Sequence, residues 1–376
     1  MVEKRKIFLA TTVFREIAEH PKVSDSIKTR IRDLYLNLLE VADVTQYDRR
    51  FPTDAEMADA VLNGGAEIIG CHLSHNIPKD LLEQSTVVAI STSTAGYNHV
   101  GIVDGDDILI SHTPGVLHIA VADYTLSIIL ATLRNLINLH NYLWDGRWTA
   151  SEKWDLDQNL STVIDKLTVG IVGMGEIGIE LTRKLHPWGI KILYYDTVRK
   201  DEVEERFPGV EYVPNMEEIF TQADVVSLHL PLFPGTHHII GEQYLKLMKP
   251  NALLVNTARG PIIDTESLLA LLENREISIN LAFDVYEEEP IPPTTLDRYK
   301  KILEIQPDLR FTFIPHNASA DADTRGQMAI MELEDLIAFA TVTSVDDLKQ
   351  VRLIPPHRQR VNAGEIETFR IQKWFE

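Results

Sequence analysis

The chain has 376 residues, 44% hydrophobic and 24% charged, which at roughly 150 residues per domain suggests two domains with full cores that need no disulfide or structural metal. The 56 acidic against 36 basic residues give a formal net charge of −20, which repels nucleic acid and anionic membranes and argues against both as partners. Cys71 is the only cysteine, which excludes an intrachain disulfide, a cysteine-based zinc cluster and an iron–sulfur centre.

No apolar run approaches the roughly 18–20 residues of a membrane span. The opening residues are basic but carry no long apolar stretch and no small-residue cleavage site. The expected location is the cytoplasm. Strand-like and helix-like segments alternate almost throughout, which predicts an α/β fold with mostly parallel sheets. Residues 7–12 form a short apolar strand, and 24–41 carry apolar residues at helical spacing. Strands follow at 67–71, 87–91 and 108–111, with a short helix at 79–84. Residues 118–143 are the longest helical pattern, with Asp123 and Arg134 as its only formal charges. A helix this apolar is expected to be buried between domains or between subunits. Residues 144–161, with Trp144, Trp148 and Trp154 among polar residues, read as a long loop.

From Lys166 the alternation restarts. Strands are predicted at 167–172, 190–195, 225–230, 252–256, 279–285 and 312–315. Helices are predicted at 177–186, 216–221, 245–248, 265–273 and 318–339. The tail from Thr341 has no clear period.

Gly173, Gly175 and Gly178 form a G-x-G-x-x-G between an apolar strand and an amphipathic helix. Eighteen residues past Gly178, at the end of the next strand, stands Asp196. That context is a dinucleotide site. Gly173 permits a tight turn, Gly175 lets a pyrophosphate approach the backbone, and Gly178 allows helix and strand to pack closely. The helix N-terminus, entered through Glu176 and Ile177, offers free N–H groups to the phosphates. Asp196 accepts from a ribose 2′-hydroxyl and repels a 2′-phosphate, which favours NAD, although Arg199 nearby leaves some room for NADP. The negative charge of Glu176 beside a pyrophosphate has no evident benefit.

Three further segments stand downstream: 256–260 (NTARG), 283–290 (FDVYEEEP) and 314–319 (IPHNAS). Upstream are 94–98 (TAGYN) and 112–117 (HTPGVL), and 228–231 reads LHLP. In this order, over residues 87–340, the chain resembles the D-isomer-specific 2-hydroxyacid dehydrogenase family. The resemblance implies two doubly wound parallel-sheet domains, a Rossmann cofactor domain inserted into a flavodoxin-like substrate domain. Residues 1–117 are then the first part of the substrate domain and 118–317 the NAD-binding domain. Residues 318–376 are the returning helix and tail. The site is expected in the cleft, at the carboxyl ends of the strands.

The same resemblance implies the residue roles. Arg259 binds a substrate carboxylate and polarises the adjacent keto oxygen, for which a planar fork is suited. His316 is the proton donor in reduction and the base in oxidation. Glu289 is its carboxylate partner and favours the protonated ring, with Glu287 and Glu288 as competing choices. A glutamate here argues against formate as substrate. Asp284 accepts from the nicotinamide carboxamide, Thr257 and Ala258 offer backbone to the cofactor, and Leu230 and Pro231 line its adenosine side. Ala95 and Gly96 present backbone N–H groups to the substrate carboxylate, and Asn98 braces that loop. No metal is expected. Asn317, after the histidine, departs from the family's usual apolar residue.

The implied activity is NAD-dependent interconversion of a small 2-keto acid and its D-2-hydroxy acid. The loop bearing Trp148 and Trp154 resembles that of glyoxylate/hydroxypyruvate reductases, which points to those substrates. The alternative is a non-catalytic NAD(H)-sensing protein of corepressor type. A homodimer is expected from the apolar stretch 118–143, with Trp148 or Trp154 reaching the partner's substrate site. The competing arrangement buries that stretch within one chain.

Overall fold

The computed structural model describes residues 4–101, 107–149, 151 and 156–375. The chain divides into two compact units, Met1–Leu117 with Ala320–Glu376, and His118–Ser319. The second unit is thus inserted in the sequence of the first. Each is a doubly wound parallel sheet, so the fold is α/β.

The first unit contains β1 (Lys6–Leu9), β2 (Asp43–Gln46), β3 (Ile68–Cys71), β4 (Ala89–Thr92) and β5 (Leu109–Ser111), in the order β2-β1-β3-β4-β5. That is the flavodoxin-like order. Register places Ile7, Ile68, Ala89 and Leu109 in one row. Together with Leu9 they form the face packed against helices Asp25–Val41 and Ala322–Thr341. Phe8, Ile69, Ile90 and Ile110 point to the opposite face, over Met57, Val61, Leu81 and Leu82. β1, β3, β4 and β5 read as short apolar runs because they are buried on both faces, whereas β2, polar and partly exposed, was not legible.

The second unit contains β6 (Thr168–Val172), β7 (Lys191–Tyr195), β8 (Val210–Tyr212), β9 (Val225–Leu228), β10 (Leu253–Asn256), β11 (Asn280–Phe283) and β12 (Phe311–Phe313). Their order, β12-β11-β10-β9-β6-β7-β8, is the Rossmann order with one added edge strand. Helices His118–Leu133 and Glu176–Leu185 cover one face, through Ile128, Ile129, Leu181 and Leu185. Helices Met216–Gln222, Thr265–Glu273 and Pro293–Ile305 cover the other.

One expectation needs correction, and two further segments were not assigned from sequence. The long helix 118–143 is two helices, His118–Leu133 and Leu136–Trp144, bent by 64°. The break is Asn135, at φ 55 in the left-handed region that asparagine tolerates and that ends a helix. The first helix is buried along Val121, Ala122, Thr125, Ile128, Ile129 and Thr132, whereas the second has no buried residue. The interval from Glu289 to His316 holds helix Pro293–Ile305, whose Arg298 is fixed by Glu266 and Glu273. The tail is ordered core: Val351, Leu353, Val361, Phe369 and Ile371 are buried in the first unit. Leu353 forms a bridge to Ser111, and His357 Nδ1 accepts the Ile110 N–H at 3.1 Å. Among the described residues no single helix is long and apolar enough to cross a membrane.

Candidate active site

In the second unit the residues singled out by sequence gather at the carboxyl ends of the strands. Gly173 follows β6 at φ 97, and a Cβ there would stand 2.7 Å from the His229 carbonyl oxygen, so no other residue fits without displacement. Gly178 packs against the Gly173 carbonyl. Gly175 caps helix Glu176–Leu185, and a Cβ built on it meets nothing within 4 Å. The cradle in front of the helix N-terminus is therefore open, as a pyrophosphate requires. Ile177 packs into the core below, and Leu230 Cδ2 lies against Gly173. Pro231 is exposed, and its carbonyl accepts from Thr236 Oγ1 at 2.6 Å.

Asp196 directly follows β7, and its Oδ2 accepts the Met174 N–H at 3.0 Å, tying the carboxylate to the glycine loop. Arg199 is held by Asp201 at 3.0 Å and Glu204 at 2.6 Å. Its guanidinium is thus engaged by two carboxylates of its own segment. Glu176 lies exposed in the helix's first turn, where a carboxylate complements the macrodipole. That gives it a structural reason for being there.

Arg259 follows β10. Asn256 Nδ2 donates to its carbonyl oxygen at 2.9 Å, and Arg259 Nη1 donates to the Ala258 carbonyl at 2.6 Å. Burial pulls the guanidinium below its ordinary range, and the Glu289 charge opposes that pull. Ala258 donates its N–H to Asn256 Oδ1 at 3.0 Å, so that N–H is already used within the turn. Thr257 is buried, its hydroxyl 2.8 Å from that of Thr125. Asn256 and Gly260 are functional supports that sequence reasoning passed over. A Cβ on Gly260 would lie 1.7 Å from the Tyr286 carbonyl oxygen. Only glycine lets the loop bearing Glu289 come this close to Arg259.

His316 sits after β12 at φ 45. Its N–H donates to the Asp284 carbonyl at 2.8 Å, and Nδ1 lies 2.6 Å from Glu289 Oε2. Glu289 Oε1 accepts the Tyr286 N–H at 3.0 Å, and the bond Glu289–Pro290 is cis. Burial pushes the Glu289 carboxyl up, but the hydrogen bond and charge of His316, the Tyr286 N–H and Arg259 together hold it below its ordinary value. Of three consecutive glutamates, only Glu289 is printed by geometry onto His316: Glu287 reaches His238 and Thr265 instead, and Glu288 is exposed.

Asp284 is fully buried and accepts the N–H groups of Asn317 at 2.7 Å and Ala318 at 2.9 Å. Burial raises its carboxyl despite those bonds. It acts in the fold as the brace of the His316 turn, and each oxygen keeps a lone pair for another donor. Asn317 shares that brace through its backbone N–H.

Ala95 and Gly96 belong to the first unit, after β4. His112 Nδ1 lies 2.8 Å from the Ala95 carbonyl oxygen, and Thr94 Oγ1 donates to the Gly96 carbonyl at 2.5 Å. Because a trans peptide sets N–H opposite C=O, the Gly96 and Tyr97 N–H groups point away from those partners. Asn98 is exposed on the same loop. Trp148 is 64% exposed, and Trp154 lies outside the described residues.

A family model described as the D-isomer specific 2-hydroxyacid dehydrogenase, NAD binding domain, matches residues 126–318. The chain belongs to the D-isomer-specific 2-hydroxyacid dehydrogenase family. It is 33% identical over 300 residues to a glyoxylate reductase of Thermofilum pendens, covering 76% of this chain and 85% of that one. It is 33% identical over 319 residues to glyoxylate/hydroxypyruvate reductase B of Klebsiella pneumoniae, covering 82% and 92%. The crystal structure of a glyoxylate reductase from Paecilomyes thermophila matches with a TM-score of 0.68 at 25% identity, covering 91% of this chain and 96% of that one. This family member is a D-2-hydroxyacid dehydrogenase, an oxidoreductase dependent on NAD(P). The relatives do not support a non-catalytic corepressor reading.

Proposed function

We propose that the protein reduces a 2-keto acid of the glyoxylate or hydroxypyruvate class to the 2-hydroxy acid, with NADH preferred over NADPH. The observation that carries the reading is the 2.6 Å His316–Glu289 pair, whose carboxylate also feels the charge of Arg259. In this reading Arg259 takes the substrate carboxylate with its planar fork and draws electron density from the keto oxygen. Glu289 accepts the Nδ1 proton of His316, so Nε2 carries the proton to be given. Nε2 delivers it to the keto oxygen as the carbonyl carbon is reduced. A bound nicotinamide supplies the hydride. The keto acid thus gains one hydride and one proton, and the reverse path returns the proton to Nε2.

The open cradle at Gly175, with Asp196 beside it, fits a dinucleotide. The engagement of Arg199 by Asp201 and Glu204 supports NAD over NADP. Asp284, Thr257, Ala258, Leu230 and Pro231 complete the cofactor surface. Ala95 and Gly96 give the substrate carboxylate its backbone donors. Residues 118–317 act as the cofactor domain and the remainder as the substrate domain.

The same reading includes a cytoplasmic homodimer. Leu136, Ile137, Leu143, Trp144 and Trp148 are exposed in succession on and after helix Leu136–Trp144, an apolar strip of the kind that marks an interface. Steady-state assays with NADH and NADPH against a panel of 2-keto acids test the reading. Glyoxylate or hydroxypyruvate should give the highest kcat/KM, with NADH at least about tenfold better than NADPH. Highest efficiency with a bulky keto acid, or equal use of both cofactors, contradicts it.

A further inference from the structure

The loop that carries Glu289 also carries Glu287, and around Glu287 a second constellation has formed. His237 and His238 stand consecutively in the turn after β9. One ligand-bearing atom from each of His237, His238 and Glu287 lies within 4.8 Å of the other two. The imidazole centroids are 3.9 Å apart at 31°, and His238 Nε2 is 2.8 Å from Glu287 Oε1. His237 is exposed, and His238 and Glu287 are partly exposed.

The backbone beneath them is fixed. The His237 N–H donates to the Phe233 carbonyl at 3.0 Å and the His238 N–H to the Pro261 carbonyl at 2.8 Å. His238 is held at φ 53, a conformation uncommon for a residue with a side chain. Thr265 Oγ1 donates to Glu287 Oε2 at 3.2 Å, so the other oxygen faces the imidazoles. A hydroxyl orienting a carboxylate in this way is a recurrent outer support of metal ligands.

The donor set decides the ligand class. Two neutral imidazoles and a carboxylate suit a borderline divalent ion, whereas Mg2+ and Ca2+ prefer oxygen donors alone. We propose that His237, His238 and Glu287 form a site for a divalent transition-metal ion, Zn2+ being the natural probe. Side-chain rotations would bring the nitrogens to about 2.0–2.1 Å from the ion, with water in the fourth position. The ion would replace the direct His238–Glu287 hydrogen bond and clip the turn after β9 to the loop after β11. Nothing in this inference depends on the substrate or on catalysis.

The test uses the full chain, free of any affinity tag and first treated with chelator. Titration calorimetry with ZnCl2 should show one ion per chain at about micromolar Kd, and Zn2+ but not Mg2+ should raise the melting temperature. His237→Ala, at an exposed position, and Glu287→Gln should each weaken binding at least about tenfold while melting like wild type without metal. Wild-type affinity in both variants would place the ion elsewhere and overturn the proposal. So would the absence of saturable Zn2+ binding in the unsubstituted chain up to about 100 μM. If His237→Ala does not fold, Glu287→Gln alone decides between these outcomes.

Discussion

Two histidine–glutamate pairs hang from one loop, His316–Glu289 at 2.6 Å and His238–Glu287 at 2.8 Å. The two carboxylates are two residues apart in sequence, and the pairs are chemically alike. Their third partners differ. The first pair includes a carboxylate that feels the half-buried Arg259, on a loop brought close by Gly260 and braced through Asp284. The second is met by a threonine hydroxyl and another imidazole. A His–Glu pair is therefore not a function in itself. In the proposed reading the pair beside Arg259 donates a proton, whereas the pair beside a second imidazole ties two loops together and offers donors for an ion.

Substitutions can break this contrast. The largest effect is expected at the proton donor. His316→Gln should lower kcat for keto-acid reduction by about a thousandfold, within the range for loss of a general acid, while NADH binding measured by fluorescence stays near wild type. His238→Gln should leave kcat within about threefold, since it removes a strut and no reacting group. Comparable losses in the two variants would erase the distinction.

Arg259→Lys keeps the charge and loses the planar fork. A fall in kcat/KM on the order of 100-fold, about 2.7 kcal/mol, is expected, and wild-type efficiency would remove Arg259 from the site. Smaller again is the cofactor effect. Asp196→Ser should relax the preference for NADH by about tenfold, read as the ratio of kcat/KM for the two cofactors. An unchanged ratio would mean that another group sets it. The smallest change is expected from Glu287→Gln, less than about threefold in kcat/KM with no displacement of the pH profile.

Much of this site was legible from sequence because each piece sits directly after a strand. The glycine loop, Asp196 and Arg259 follow runs whose burial makes them visible as apolar segments, and His316 follows the short aromatic edge strand β12. The choice among Glu287, Glu288 and Glu289 was not legible. It depends on which carboxylate meets a histidine 27 residues later, and sequence spacing carries no such information. The supports Asn256 and Gly260 were also missed, although both stand inside the quoted segment 256–260. An asparagine ending a strand before a buried turn, and a glycine beside the key arginine, were the available signals. The break at Asn135 was hidden because no proline or glycine marks it. The tail escaped notice because its buried residues are spread over two 3₁₀ turns, Val345–Gln350 and Arg370–Trp374, the nine-residue helix Pro355–Ala363 and the links between them, each too short to show a helical period.

The most direct test is the pH dependence of kcat/KM for keto-acid reduction in wild type, Glu289→Gln and Glu287→Gln. In the proposed reading the Glu289 anion orients and polarises the His316 ring, so efficiency depends on that anion. Glu289 is held below the ordinary carboxylate range, so the pair keeps its anion as pH falls through that range and loses it only further down. Efficiency in wild type should therefore decline only well below the ordinary carboxylate range, and Glu289→Gln, which has no anion to lose, should lack that acid limb and run lower at neutral pH. Glu287→Gln should superimpose on wild type. An acid limb lost in Glu287→Gln and kept in Glu289→Gln would contradict the assignment of the acid pair.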